Sequence, residues 1–137
     1  MNQEMIIKAQ QIEQQAQEIA QNLEIVEQQI VELNDFSKTL EAFDKVEDKE
    51  MLSLLGRGVY AKTELREKEL FVNVGAGIVV KKSPKETLKV VTEQLKRLKE
   101  VRMQLNAKNQ AYAYAFQQLL MELQESQKGA KSQKESR

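Results

Sequence analysis

Six apolar residues, Met5, Ile12, Ile19, Val26, Leu33 and Leu40, recur every seven positions without a gap. In a chain that is 41% apolar, such a run arises by chance roughly once in thirty over the seven registers. Four residues beyond the first four of them stand Ala9, Ala16, Leu23 and Ile30, and Ser37 interrupts this second series. Positions so spaced form one stripe of an α-helix. The pattern therefore predicts a coiled-coil helix over about 2–48, with Met5 opening the d positions and Ala9 the a positions. The remaining positions are mostly Gln, Glu and Asn, as a solvated face requires, and Phe43 and Val46 extend the stripe.

A second arm of similar length begins at Ser83-Pro84-Lys85-Glu86. Ser at the N-cap, Pro at the first helical position and Glu at the third make a capping box. From there Leu88, Val91, Leu95, Leu98, Arg102, Leu105, Asn109, Tyr112, Phe116, Leu119 and Leu123 alternate at spacings of three and four. Arg102 and Asn109 are the polar members, which fix register and partner choice at some cost in stability. This predicts a helix over about 84–125. The apolar-free tail 126–137 reads as disordered. Packed antiparallel, the arms bring Leu33 to Leu95, Leu23 to Leu105, Ala16 to Tyr112 and Ala9 to Leu119, small residues facing large ones. Each arm reaches about 65–70 Å at 1.5 Å per residue.

Between the arms, residues 51–83 follow a different period. Val59, Ala61, Thr63 and Leu65 alternate with Tyr60, Lys62, Glu64 and Arg66, the twofold repeat of a half-buried strand. Leu52–Leu55 before Gly56-Arg57-Gly58, Leu70–Val74 before Gly75-Ala76-Gly77, and Ile78–Val80 supply three more strands. The simplest arrangement is two short hairpins. The predicted fold is thus α+β, mostly α: one domain over 1–125, a long antiparallel coiled-coil hairpin with a central β insert.

Composition removes several classes of function. The 137 residues contain no Cys and no His, which excludes thiol chemistry, disulfides, Cys/His zinc sites and imidazole catalysis. Lys plus Arg and Asp plus Glu both number 21, without the basic excess of a nucleic-acid binder. No apolar run approaches the roughly 20 residues that span a bilayer, and no signal peptide is visible. The absence of Cys fits an intracellular protein. The two Gly-Xaa-Gly fragments do not lead into a helix N-terminus as a phosphate loop does, so they read as turns or bulges. Acidic pairs on the arms sit on solvated faces with nothing to desolvate them. Tyr112, Tyr114 and Phe116 lack the interleaved cations of a base-stacking surface. No enzyme, cofactor, metal site, nucleic acid or membrane is expected.

Two apolar surpluses remain. Four short strands cannot bury Leu54, Val59, Ala61, Leu65, Phe71, Val72, Val74, Ile78 and Val80 on their own, and open edges invite another chain. An obligate oligomer is expected, in which inserts from several subunits complete a common β body. At the free ends of the arms, Met5, Ile6, Ile7 and Ile12 cluster with Tyr112, Tyr114, Phe116, Leu119, Leu120, Met121 and Leu123. That exceeds what a coiled-coil seam needs and predicts a surface that takes apolar segments of other proteins.

The segment Leu54-Leu55-Gly56-Arg57-Gly58-Val59-Tyr60-Ala61-Lys62, the segment Leu70-Phe71-Val72-Asn73-Val74-Gly75-Ala76-Gly77, and Ile78 to Ser83 together resemble an alpha-class subunit of prefoldin, the ATP-independent co-chaperone of archaea and eukaryotes. The likeness covers the chain to about Gln124, and two hairpins rather than one point to the alpha class. The resemblance implies two alpha and four beta-class subunits around a double β-barrel, with six coiled-coil tentacles. Their tips hold unfolded client proteins and deliver them to a group II chaperonin in the cytoplasm, without hydrolysis. The competing expectation keeps the fold but not the activity: a coiled-coil scaffold or filament-forming subunit that holds no client.

Overall fold

The computed structural model describes residues 2–135, and side chains from 3 to 129. Six elements follow in order: α1 (Asn2–Lys45), β1 (Glu50–Gly56), β2 (Val59–Glu64), β3 (Leu70–Gly75), β4 (Ile78–Lys82) and α2 (Pro84–Glu135). The α+β, mostly α class expected from the sequence is what forms. The described residues fall into two compact units. One combines α1 up to Gln29 with α2 from Leu98 onward; the other is Ile30–Arg97, with the β insert.

The heptad dictates burial. Along α1 every position from Met5 to Leu40 that escapes full exposure belongs to the two predicted series, and Ser37 keeps its seam place despite its hydroxyl. Ile19, Val26, Ile30 and Leu40 are buried, as are Val91, Leu95 and Leu119 on α2. Arg102 and Asn109 lie half-buried in the stripe of α2. Arg102 reaches Glu27 on α1, Nη1 to Oε1 at 3.7 Å, so this seam cation has a carboxylate at hand rather than being desolvated alone. In the other unit, Leu40 and Asp44 flank the same depression as Leu88 and Pro84. Leu33 and Phe36, earlier on α1, share another with Val91 and Gln94, later on α2, so rising numbers on α1 meet falling numbers on α2, the antiparallel register the sequence implies.

The ends of the helices correct two expectations and confirm a third. α1 stops at Lys45 rather than near residue 48. The Asp44 carbonyl, which a longer helix would offer to the residue 48 amide, instead accepts a hydrogen bond from Lys68 Nζ at 2.7 Å. Asp48 Oδ1 accepts the Glu50 N–H at 3.1 Å, a local turn that competes with helix. At the other boundary Ser83 Oγ accepts the Glu86 N–H at 3.2 Å, the forward half of the predicted capping box. Thr87 is buried beside it, its hydroxyl donating to the Ser83 carbonyl at 2.9 Å. The tail expected to be disordered over 126–137 is helical through Glu135. Gln, Lys and Ala favour helix there, no proline stops it, and the lone Gly129 costs about 1 kcal/mol. Ser136 and Arg137 lie outside the described residues.

Each hairpin is a separate two-stranded antiparallel sheet, β1 with β2 and β3 with β4. The Gly-Xaa-Gly triplets explain both turns. Arg57-Gly58 and Ala76-Gly77 take positive φ at both positions, 50° and 76°, 52° and 74°, which is the two-residue type I′ loop. Gly56 and Gly75, at 145° and 113°, sit where the register slips before each turn. In this conformation a side chain is disfavoured.

Candidate docking surfaces

In the first hairpin Leu54 lies opposite Tyr60 and Leu52 opposite Lys62. Leu52, Leu54 and Tyr60 therefore share a face, and all three are exposed. On the opposite face Met51, Ser53 and Ala61 are half-buried, and Ser53 Oγ lies 2.7 Å from Thr63 Oγ1. Leu55 and Val59 open to solvent near the turn. In the second hairpin Leu70 and Val72 are half-buried on one face, while Val74, Ile78 and Val80 on that face lie open. Phe71 and Val79 stand on the reverse side, Phe71 at 71% exposure. Of the insert residues singled out from sequence, Ala61, Leu65 and Val72 are thus partly covered, and Leu54, Val59, Phe71, Val74, Ile78 and Val80 are not. Leu52 and Leu55, surplus apolar groups by the same sequence reasoning, are open too, and Tyr60 and Val79 join them. Strand alternation carries that signal for Leu52 and Tyr60, but only the pairing register puts them on one face.

Beside the second hairpin an apolar cavity of about 320 Å³ is lined by Leu33, Phe36, Val72, Val90 and Val91, among others. Phe36 is itself exposed. The base of this hairpin is fixed by a short ion pair, Lys81 Nζ to Glu69 Oε2 at 2.6 Å. The hydrogen bond from Lys81 holds the Glu69 carboxyl below its ordinary range, and the same bond raises the Lys81 ammonium.

At the free ends of the helices the predicted cluster divides in two. Met5, Ile12, Tyr112, Phe116 and Leu123 are half-buried and Leu119 is buried; these belong to the seam. Ile6, Ile7, Tyr114, Leu120 and Met121 are exposed. Among these, the Tyr114 hydroxyl accepts a hydrogen bond from Gln118 Nε2 at 3.1 Å. Sequence reasoning overlooks Met103, also exposed, which lies farther along α2. Among the described residues there is no group of three or more His, Cys, Asp or Glu side chains fit to hold a metal. None of their helices is long and apolar enough to cross a membrane. The exposed surfaces are apolar, of the kind that docks other chains.

A family model for the prefoldin subunit matches residues 12–129. A prefoldin subunit alpha from Methanosphaera stadtmanae is 26% identical over 88 residues, 64% of this chain and 64% of that protein, so this match spans less than two thirds of the relative's length. A prefoldin subunit alpha from Archaeoglobus fulgidus is 29% identical over 97% of this chain and 95% of its own. Among solved structures, a chain of filamentous PFD from Methanocaldococcus jannaschii, determined by cryo-EM, superposes with a TM-score of 0.73. It covers 89% of this chain and 99% of that one at 18% identity, a likeness of fold.

Proposed function

Since the chain belongs to the prefoldin family, in its alpha class, we propose that it is a chaperone subunit that captures non-native polypeptides with the free ends of its coiled coil and passes them to a group II chaperonin. The family is one of non-enzymatic chaperones whose subunits work in oligomeric assemblies. The observation that carries client capture is the set Ile6, Ile7, Tyr114, Leu120 and Met121, large apolar groups left in water by a seam that does not need them. Each such group binds weakly. Several arms acting on one unfolded chain give avidity without any single tight site, and release follows when the chaperonin competes for the same segments. Neither step calls for a cofactor or nucleotide.

The β insert supplies the assembly. Its exposed Leu54, Phe71, Val74 and Ile78 are covered, in this reading, by inserts of sister subunits that close a β-barrel, two alpha with four beta-class chains, in the cytoplasm. A second reading is a filament-forming scaffold that holds no client. In its favour stands the solved chain of the same fold, which comes from a filamentous assembly; open hairpins serve either design.

Suppression of aggregation of a denatured protein, without nucleotide, separates the two. The variant Ile6→Ser, Ile7→Ser, Tyr114→Ser, Leu120→Ser is expected to keep the parent's assembly mass and lose most of its protection. If the variant protects as well as the parent, the free ends are not the client surface. If the parent itself gives no protection, the scaffold reading stands instead.

A further inference from the structure

We infer that the apolar cavity beside the second hairpin is a small-molecule site, and that it takes a free, unbranched carboxylate of about eight to ten carbons. None of the residues that line it belongs to the free ends of the helices, so the site is independent of client capture. The cavity holds about 320 Å³, between Leu33 and Phe36 of α1, Val72 of β3, and Val90 and Val91 of α2. Val91 is buried, Leu33 and Val72 are half-buried, and Phe36 and Val90 are exposed. Aliphatic walls, an aromatic edge and a volume at the lower end of the range for ligand pockets suit one short hydrocarbon chain.

Lys82 sets the charge of the occupant. It lines the cavity as well, opposite Leu70 in the ladder and on the same face of the hairpin as Val72. Its neighbour Lys81, on the reverse face, is held by Glu69 at 2.6 Å. Lys82 has no such partner. It is half-buried, and no carboxylate among the described residues forms an ion pair with it. No Asp or Glu among them lines the cavity either. A lysine stem laid along apolar walls carries its ammonium to the rim. Covering that ammonium without a counter-charge is costly.

An anion on an apolar tail answers both the walls and the rim. Asn73 and Gln94 also line the cavity and add donors for a carboxylate. The Asn73 side-chain oxygen already accepts the Gly75 N–H at 3.0 Å, which leaves its amide N–H groups to donate. Thr87 adds nothing, because its hydroxyl donates to the Ser83 carbonyl at 2.9 Å. A neutral apolar segment of another chain would fill the same space but leave Lys82 covered and uncompensated.

The test uses the assembled full-length protein, titrated in a calorimeter with hexanoate, octanoate and decanoate below their micelle-forming concentrations, and with octanol. Each methylene entering apolar surroundings contributes about fourfold in affinity. Octanoate should therefore bind roughly fourteenfold more tightly than hexanoate. Lys82→Gln, with assembly mass and helicity unchanged, should weaken octanoate by about tenfold and octanol by less than about twofold. Val90→Trp places a bulky ring at an exposed helix position, 37% open, and should weaken both ligands by about fivefold or more by filling the cavity. The triple variant Ile6→Ser, Ile7→Ser, Leu120→Ser should bind octanoate as the parent does. Absence of saturable binding, or octanoate affinity in Lys82→Gln within about twofold of the parent's, overturns the inference. Loss of octanoate binding in the triple variant overturns it too, since the ligand then sits at the free ends. So does binding that breaks up the assembly, since the cavity then belongs to a sister subunit's insert. Client capture stands or falls separately, on the aggregation assay.

Discussion

Replacing Phe71 with Ser separates what the β insert does for one chain from what it does for an assembly. Phe71 is 71% exposed on the face of β3 that carries Asn73 and, across the ladder, Lys81. Phe71 also lines the cavity beside Leu33 and Phe36, but with most of the ring in water the single chain gains little from it, and its loss should cost about 1 kcal/mol. An assembly gains far more. An aromatic side chain offers about 200 Å², so covering the exposed share removes roughly 140 Å² from water and contributes about 3 kcal/mol at about 25 cal/mol per Å². The expected result is a weakening of subunit association by about a hundredfold for each interface that buries the ring. Sedimentation velocity across a dilution series measures it, with far-ultraviolet circular dichroism as the check on the helices. An unchanged association constant would refute the reasoning. So would a large loss of helix in the isolated chain, since the ring would then be packing inside it.

Further outcomes follow from the seam, the cap and the turns. Arg102→Leu fills a half-buried seam position with an apolar side chain and should stabilise the arms by about 1–2 kcal/mol in urea denaturation, while loosening register specificity. Ser83→Ala removes the acceptor for the Glu86 N–H and should cost about 1 kcal/mol in the same assay. Ala76→Asn puts the residue favoured at this left-handed turn position in place of one at φ 52°, and should stabilise by about 0.5–1 kcal/mol. The Glu69–Lys81 pair sets a pH window. Glu69 titrates below its ordinary 4.5 in the folded chain, so its contribution is present above that value and lost as pH falls through the lowered one. Lys81 titrates above its ordinary 10.5, so its contribution is present below that value and lost as pH rises through the raised one. Glu69→Gln should therefore lower the melting temperature slightly at neutral pH, with the difference from the parent vanishing in strong acid, and salt should shrink it.

How much of this is legible in the sequence depends on whether a feature is local. The seam from Met5 to Leu40, the Ser83 cap and the two glycine-flanked turns depend on residues a few positions apart, and their spacing states the outcome. The end of α1 does not. Asp48 offers a local turn there, but the partner of the freed Asp44 carbonyl, Lys68, lies 24 residues away, and no local pattern announces that meeting. Burial of Thr87 is hidden for a similar reason: its hydroxyl is satisfied by Ser83, so a polar residue enters a position that pattern-reading reserves for apolar ones. Beyond residue 125 the missing apolar stripe argues for disorder, and local propensity overrides it. A helix needs no buried face to form where its residues favour it and nothing stops it. The free-end cluster is legible even as two sets, because the heptad spacing already places Phe116 and Leu119 in the seam and leaves Ile6, Ile7, Tyr114, Leu120 and Met121 outside it. Met103 escapes notice because it stands apart from that cluster in the chain, though not along its face of the helix.

Sedimentation equilibrium of the unaltered protein, alone and mixed with a beta-class subunit, bears most directly on the claim that sister chains complete the β insert. The predicted result is an assembly several times heavier than the 15.8 kDa chain, with its hairpins protected from hydrogen exchange only in the assembled state. A stable 15.8 kDa monomer at micromolar concentration, with hairpin amides already protected and no change on adding the partner, would contradict it.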